Sequence, residues 1–454
     1  SDQAPKPVLA VNTFTEPTDD LLSLGIGANP DGHPDWTFAE NAARYTERRL
    51  TVFVRPSLVS LTASPSDRQL IPRDESGGAV VPVAGQVTDP RVTQVKLRVV
   101  GGGKKQTFTA SGKRPFRFTP RITAGLHEYT FELTAKGPGI DRVVAHREGV
   151  LSGDVYLVQG QSNSVAAKYD GSAAGEESVY LRSFGSSTVD GTLSSADRSW
   201  HYATGDVTYQ SGSVGQWAIR TGRRIVDTYK VPVAIVNGAH GGRPIDFFQR
   251  DDDAPNDPST NYGRLRARLA DAGLLDHVRG LLWYQGESDN DDAEVHTTGF
   301  AALLSAWRSD LGAAQPGGTR YYVHQVRTSP CNNSTTIALR EAQRAMEDTL
   351  DVTVLSTSAL DGHDGCHFAW QGGYRDLGDH DFAVIARDLY GGPAEGVAPP
   401  NPEKAVLADD GTQITVTLRS ADRLTVEPGA EADFRLEGST ATVTSVTYQD
   451  GGRL

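Results

Sequence analysis

The sequence predicts a multi-domain chain: a central α/β/α sandwich with a parallel sheet, preceded by an antiparallel β-sandwich and followed by a small β-rich segment. Three observations predict it. A length of 454 residues is about three times that of a usual domain. Apolar residues alternate with period two between residues 51 and 150. From residue 154, short apolar runs alternate with stretches of helical period.

Residues 1–50 form an N-terminal extension in which NAARYTERRL reads as a short helix. Over 51–150, Val95, Leu97 and Val99 face one way with Lys96 and Arg98 between them, and Tyr129, Phe131 and Leu133 repeat the pattern. Gly, Pro and Asp punctuation such as ESGGAVVP separates the runs, which suits antiparallel strands stacked as a sandwich.

Over 151–392 the runs DVYLVQ, VPVAIVNG, VRGLLWYQG, RYYVHQV and DVTVLSTS read as strands buried on both faces. Three stripes between or after them read as covering helices: Val214, Trp217, Ala218, Thr221, Ile225 and Tyr229; Phe300, Leu303, Leu304, Trp307 and Leu311; and Phe382, Ile385, Ala386 and Leu389. Residues 393–406 form a Gly/Pro linker. In 407–454, Ile414, Val416 and Leu418 and then ATVTSVTY read as strands of a third β-domain, either truncated or completed by the first.

A net charge of −13 argues against nucleic acid or an anionic membrane as partner, since both select clustered Lys and Arg. No run approaches the ~18 uncharged apolar residues of a membrane span. The chain begins Ser-Asp-Gln-Ala-Pro, which reads as a trimmed mature form. The two cysteines, Cys331 and Cys366, fit no zinc spacing. A disulfide between them, implying a secreted, periplasmic or cell-surface protein, is expected ahead of two separate buried thiols.

Ligands of a parallel sheet bind at the carboxyl ends of its strands. Here those ends carry GQSNS with Ser162, NGAHGGRPI, QGESDN and ALDGHDGCHF. A hydroxyl, a glycine pair, an amide with a carboxylate, and an Asp/His cluster make up a kit for nucleophilic acyl transfer. Serine needs an imidazole to take its proton and an acid to orient that imidazole, and the tetrahedral intermediate needs amide donors. Taken singly, Ser162 is a helix N-cap, His367 a core histidine and Gly241-Gly242 a tight turn; the convergence of four strand ends favours chemistry.

The set GQSN, NGAHGGRPI, WYQGESD and DGCH, in this order over roughly residues 150–392, resembles the SGNH hydrolase superfamily. Within it, the likeness is to the sialate O-acetylesterase-like and acetylxylan-esterase-like branch of the carbohydrate esterases. The resemblance implies a flavodoxin-like domain that removes O-acetyl groups from sialic acid or plant and algal polysaccharide, through an acetyl-enzyme and without metal or cofactor. It matches Ser162 to the nucleophile, His367 to the base and Asp364 to its orienter. The Ser162 and Gly242 amides and the Gln285 side chain are matched to the oxyanion hole.

Where the superfamily commonly has G-x-N-D, this chain has Gly286-Glu287-Ser288-Asp289, so the amide role falls to Gln285. Ser164, where the branch often has methionine, is expected to line the pocket. Asp361 stands in reserve as orienter, and His363 is a rival base. Arg243 either meets a substrate carboxylate or, preferentially, bridges to Asp246, while Asn163 is a further substrate contact. Glu287 reads as structural, with Arg340 of LREAQ as its partner. The acidic loop RDDDAPNDP lacks EF-hand spacing and reads as solvated rather than calcium-binding.

The expected partner is an acetylated carbohydrate, with pocket walls drawn from residues 165–213 and 246–262. A glycan-binding or surface-assembly protein with a secondary hydrolase, or an esterase for other acyl groups, is the alternative.

Overall fold

The computed structural model describes residues 57–112, 115–289, 292–327, 331, 337–419 and 424–454. The N-terminal extension and the helix expected at NAARYTERRL lie outside the described residues.

Strands Val59–Ala63, Val83–Val87 and Phe116–Phe118 form one antiparallel sheet. A second is built from Lys104–Ser111, Gln94–Gly101 and Tyr129–Gly137 and continues into the strand that follows. Both close on a core that holds Val83, Phe116 and Phe118 from the first sheet and Val95, Leu97, Val99, Phe131 and Leu133 from the second. The residues expected to face inward do so, because only period-two spacing brings every second side chain to one face.

The strand that follows, β1 (Ile140–Gly160), runs through both layers of organisation. Its first half pairs antiparallel with Tyr129–Gly137; from Asp154 its second half pairs parallel with two strands of a different sheet. The boundary expected at 150/151 therefore falls inside one continuous strand. Asp154, almost fully buried at this junction, accepts bidentate bonds from Arg73 at 2.8 Å and further bonds from Arg279 and Tyr390.

The sheet joined by the second half of β1 adds β2 (Leu181–Phe184), β3 (Trp200–Tyr202), β4 (Val233–Asn237), β5 (Val278–Tyr284), β6 (Arg320–Gln325) and β7 (Thr353–Ser356). Their order is β3-β2-β4-β1-β5-β6-β7, and every pairing except β2 with β3 is parallel. Besides a short helix at Gly191–Ala196, the described helices include α1 (Ser162–Val165), α2 (Gln216–Tyr229), α3 (Asn261–Ala272), α4 (Ala293–Asp310), α5 (Ile337–Thr349) and α6 (Arg375–Tyr390). Tyr156 and Val158 of β1 pack with Trp217 and Ile225 of α2 and Ile385 of α6. Val155 and Leu157 face the opposite way, toward Leu265 of α3 and Leu303 and Trp307 of α4. Burial on both faces explains why these strands read as unbroken apolar runs.

Two expectations for the C-terminal part are corrected. The Gly/Pro linker expected over 393–406 ends early, because a strand, Pro402–Leu407, pairs with Ile414–Leu418. ATVTSVTY forms no strand. Residues 452–454 take the place beside Ile414–Leu418 instead, with Val416 N donating to the Leu454 carbonyl and Leu418 N to the Gly452 carbonyl, and Val443 and Val446 are left half-buried.

Candidate active site

β1 ends at Gly160, where φ is +131°, and a side chain there would collide with the Tyr284 carbonyl at 2.2 Å and Ser164 Oγ at 2.6 Å. Glycine is therefore required for the chain to turn off the sheet beside β5. Ser162 follows as the first residue of α1, half-buried, and among the described residues its hydroxyl makes no hydrogen bond.

The turn beneath it is fixed by buried polar groups. Ser164 Oγ donates to the Gln159 carbonyl at 2.8 Å and accepts from the Tyr284 amide at 3.1 Å, tying β1 to β5. It does not line the pocket as expected, since it is fully buried. Gln161 Oε1 accepts from the Ser288 amide at 3.1 Å, Trp217 Nε1 donates to the Asn163 carbonyl at 2.7 Å, and Asn237 Nδ2 donates to the Ser164 carbonyl at 2.9 Å.

Asn163 is corrected from substrate contact to scaffold. It is fully buried, and both Nδ2 hydrogens are used: on Glu287 Oε1 at 2.7 Å and on the Cys366 carbonyl at 3.1 Å. Its Oδ1 accepts from Tyr374 at 2.9 Å. Glu287 thus meets Asn163 rather than the expected Arg340, which reaches the Val326 carbonyl and Ser358 Oγ instead. Burial, opposed by the Asn163 bond, pushes the Glu287 carboxyl up to about 7.

Gln285 is also redirected. Its side-chain amide is buried and donates to Asp289 Oδ2 at 2.9 Å and to the Arg243 carbonyl at 3.3 Å, which leaves no donor for an oxyanion. Asp289 in turn holds His296 Nδ1 at 2.7 Å and the Ile245 amide at 2.7 Å. Gln343, from the same LREAQ stretch as Arg340, donates to the Gln285 carbonyl at 3.0 Å.

The glycine turn lies against the serine. A methyl on Gly241 would stand 3.7 Å from Ser162 Cβ, and the Gly241 amide donates to Tyr209 Oη at 3.0 Å. Gly242 has φ +66° with open space around it, and among the described residues its amide has no acceptor. Arg243 is exposed, and its guanidinium lies over the Phe247 ring at 4.8 Å. The expected bridge to Asp246 is not formed among the described residues.

The loop after β7 carries the remaining candidates. Cys331 and Cys366 form a disulfide. Asp364 and His367 share the loop, but the carboxylate does not meet the imidazole. Three residues back, it instead folds onto the loop's own amides, Oδ1 accepting from Cys366 N and His367 N at 2.7 Å each. Burial would raise the Asp364 carboxyl, yet these amides outweigh it and hold it below the usual range. His367 is half-buried, with Nε2 3.7 Å from Cys366 Sγ.

Of the alternatives, His363 lies 2.6 Å from Arg327 Nη2, and its pKa is lowered by burial and by that cation. Asp361 is exposed, and among the described residues its carboxylate bonds to nothing. In the acidic loop Asp251 caps the Asp253 and Ala254 amides and Arg250 meets Asp252, while Arg250 also reaches Asp310 and Asn256 accepts from Arg266. Among the described residues no group of three or more His, Cys, Asp or Glu is arranged to hold a metal ion.

Two features escaped sequence reasoning. Tyr209 belongs to no motif, and the buried partners Gln161, Trp217 and Tyr374 become visible only once their strand ends converge.

Together these features define a class, an α/β protein with a polar site at the carboxyl ends of its parallel strands. The model of one family, "Carbohydrate esterase, sialic acid-specific acetylesterase", matches residues 152–383, about half of the chain. The chain belongs to that family. Sialate O-acetylesterases of Homo sapiens and Pongo abelii are 25% identical to it over 203 residues, which is 38% of this chain. The chain spans only 38% of the length of those curated relatives. A solved carbohydrate acetylesterase from Xanthomonas citri, 21% identical, shares the fold with a TM-score of 0.53 over 79% of this chain and 81% of its own.

Proposed function

We propose that this protein is a carbohydrate O-acetylesterase whose flavodoxin-like SGNH domain works through Ser162. Ser162 Oγ attacks the acetyl carbonyl carbon while His367 takes its proton. The Ser162 and Gly242 amides hold the resulting oxyanion. The C–O bond to the sugar breaks, and His367 returns the proton to the departing sugar oxygen. A water, deprotonated by His367, then releases acetate from the acetyl-serine. The imidazole turns onto Ser162 when substrate is seated, since hydrogen bonds of a catalytic base tighten in the Michaelis complex. Asp364 holds the loop amides in this resting geometry, and its orienting bond to the ring forms in the same step.

One observation carries the reading. The 3.1 Å bond from Asn163 to the Cys366 carbonyl joins the immediate neighbours of Ser162 and His367, two residues more than 200 positions apart in the chain. Membership of the acetylesterase family supports the substrate class. The sialate O-acetylesterase relatives and the exposed Arg243 favour a sugar that carries a carboxylate. The disulfide supports a secreted, periplasmic or cell-surface location; no described helix is long and apolar enough to cross a membrane.

Replacing Ser162 by Ala tests this. Hydrolysis of an aryl acetate and of O-acetylated sialic acid is expected to fall by at least ~10³-fold with the circular dichroism spectrum unchanged. Wild-type rates in that variant would end the proposal.

A further inference from the structure

We infer that Tyr209 is a catalytic residue of this site, its hydroxyl donating to the oxyanion that forms when Ser162 attacks. The inference rests on the Ser162 reading and fills a gap in it. The side-chain amide expected in the oxyanion hole, that of Gln285, is turned away and fully used by Asp289 and the Arg243 carbonyl. A donor from another part of the chain stands on the serine side instead.

Tyr209 Oη accepts the Gly241 amide at 3.0 Å. The point where a methyl on Gly241 would sit is 3.4 Å from Tyr209 Oη and 3.7 Å from Ser162 Cβ, so hydroxyl and serine flank the same face of the glycine turn. Among the described residues the Tyr209 hydroxyl donates to nothing, so its hydrogen is left for a ligand. A hydroxyl that accepts from an amide is polarised and becomes a better donor in turn. The Gly241 amide, already spent on the phenol oxygen, acts on the oxyanion through it.

The backbone is held for this purpose. Tyr209 has φ +55°, a region that non-glycine residues enter rarely and keep only when their surroundings enforce it. The Gln210 carbonyl accepts from Ser187 and Ser213, and Ser213 Oγ donates to the Val207 carbonyl at 2.6 Å, which closes the loop around Tyr209. The ring is half-buried beside His240, with centroids 6.2 Å apart.

Tyr209→Phe keeps the ring and removes the donor. Loss of one oxyanion donor is expected to lower kcat by about 10²-fold with KM little changed. The loss should be equal for an aryl acetate and an O-acetylated sugar, because both pass through the same oxyanion. An unchanged kcat, or a loss confined to KM or to the sugar substrate, overturns the assignment. Should Tyr209→Phe not fold, 3-fluorotyrosine at position 209, which alters only the acidity of the phenol, must change kcat; an unchanged kcat overturns the assignment equally. Ser162→Ala measured in parallel separates the two claims. If it is active, the proposed function fails; if it is inactive while the Tyr209 variants match wild type, only the Tyr209 assignment fails.

Discussion

The two sides of the site are held by different means. On the nucleophile side, Ser162 sits above buried polar groups, Gln161, Asn163, Ser164, Trp217 and Tyr374, each hydrogen-bonded across elements. On the proposed base side, His367 lies on a loop tied mainly by a disulfide, the Asp364 turn and backbone bonds such as Cys331 N to the Gly365 carbonyl and Ala369 N to the Gly362 carbonyl, with the Asn163 side chain reaching it from the nucleophile side. Buried networks fix geometry at the cost of desolvating every member, whereas covalent and local ties leave a loop free to reorient. In the proposed mechanism the attacking atom is thus preorganised, and the proton acceptor is the group that turns.

The largest effect should come from cutting the loop's tether. The cysteines are 35 residues apart, and the chain-entropy account gives about 4 kcal/mol for closing such a loop. A Cys331→Ser/Cys366→Ser variant is expected to unfold at correspondingly lower guanidinium concentration and to lose kcat more than KM. Unaltered kcat would mean that the disulfide has no part in presenting His367.

Next is a pH effect confined to the nucleophile side. With its carboxyl pushed up from 4.5 to about 7 by burial, Glu287 keeps in the folded chain a proton that the unfolded chain releases earlier. Its contribution to stability is full below about pH 4.5, declines as pH rises toward 7 and is flat above, about 3 kcal/mol in all. His240, lowered from 6.5 to about 4 by burial and by Arg243, slopes the opposite way between those values. The comparison is thus between wild type and Glu287→Gln, whose denaturation curves across pH 4–8 should lack the Glu287 decline. Parallel curves would contradict it.

Asn163→Ala, which strips two donors and an acceptor from the buried network, should cost about 2–3 kcal/mol and lower kcat on both sides of the comparison at once. A loss below 1 kcal/mol in urea unfolding would show that water replaces the amide. Smallest is Arg243→Ala. The side chain is exposed and unpaired with any acid among the described residues, so stability should move by no more than about 0.5 kcal/mol. KM should rise for an acidic sugar acetate and hold for an aryl acetate.

The same contrast governs what was legible in the sequence. Val155–Val158, Val233–Val236 and the stripe from Val214 to Ile225 were readable because strands and helices buried on defined faces write their period into the chain. That Ser162 and the glycine turn fall at neighbouring strand ends was readable because several strand ends carry polar clusters in one order along the chain, and the disulfide because only two cysteines are present. Partner choice was not. Whether Gln285 and Asn163 point at substrate or into the scaffold depends on which acceptors other strands bring near, and Asp289 and Glu287 were the ones that arrived. ATVTSVTY has the strand pattern, but residues 452–454 occupy the place beside Ile414–Leu418, and Tyr209 sits in an irregular loop where no periodicity exists to read.

The central claim is that an acetyl group passes through Ser162. Rapid acid quench during turnover of an aryl acetate, followed by peptide mass spectrometry, tests it most directly. One added acetyl group on the peptide carrying Ser162, absent from Ser162→Ala, is the predicted result. Turnover with that peptide unmodified, or acetyl on another residue with Ser162→Ala still active, would contradict it.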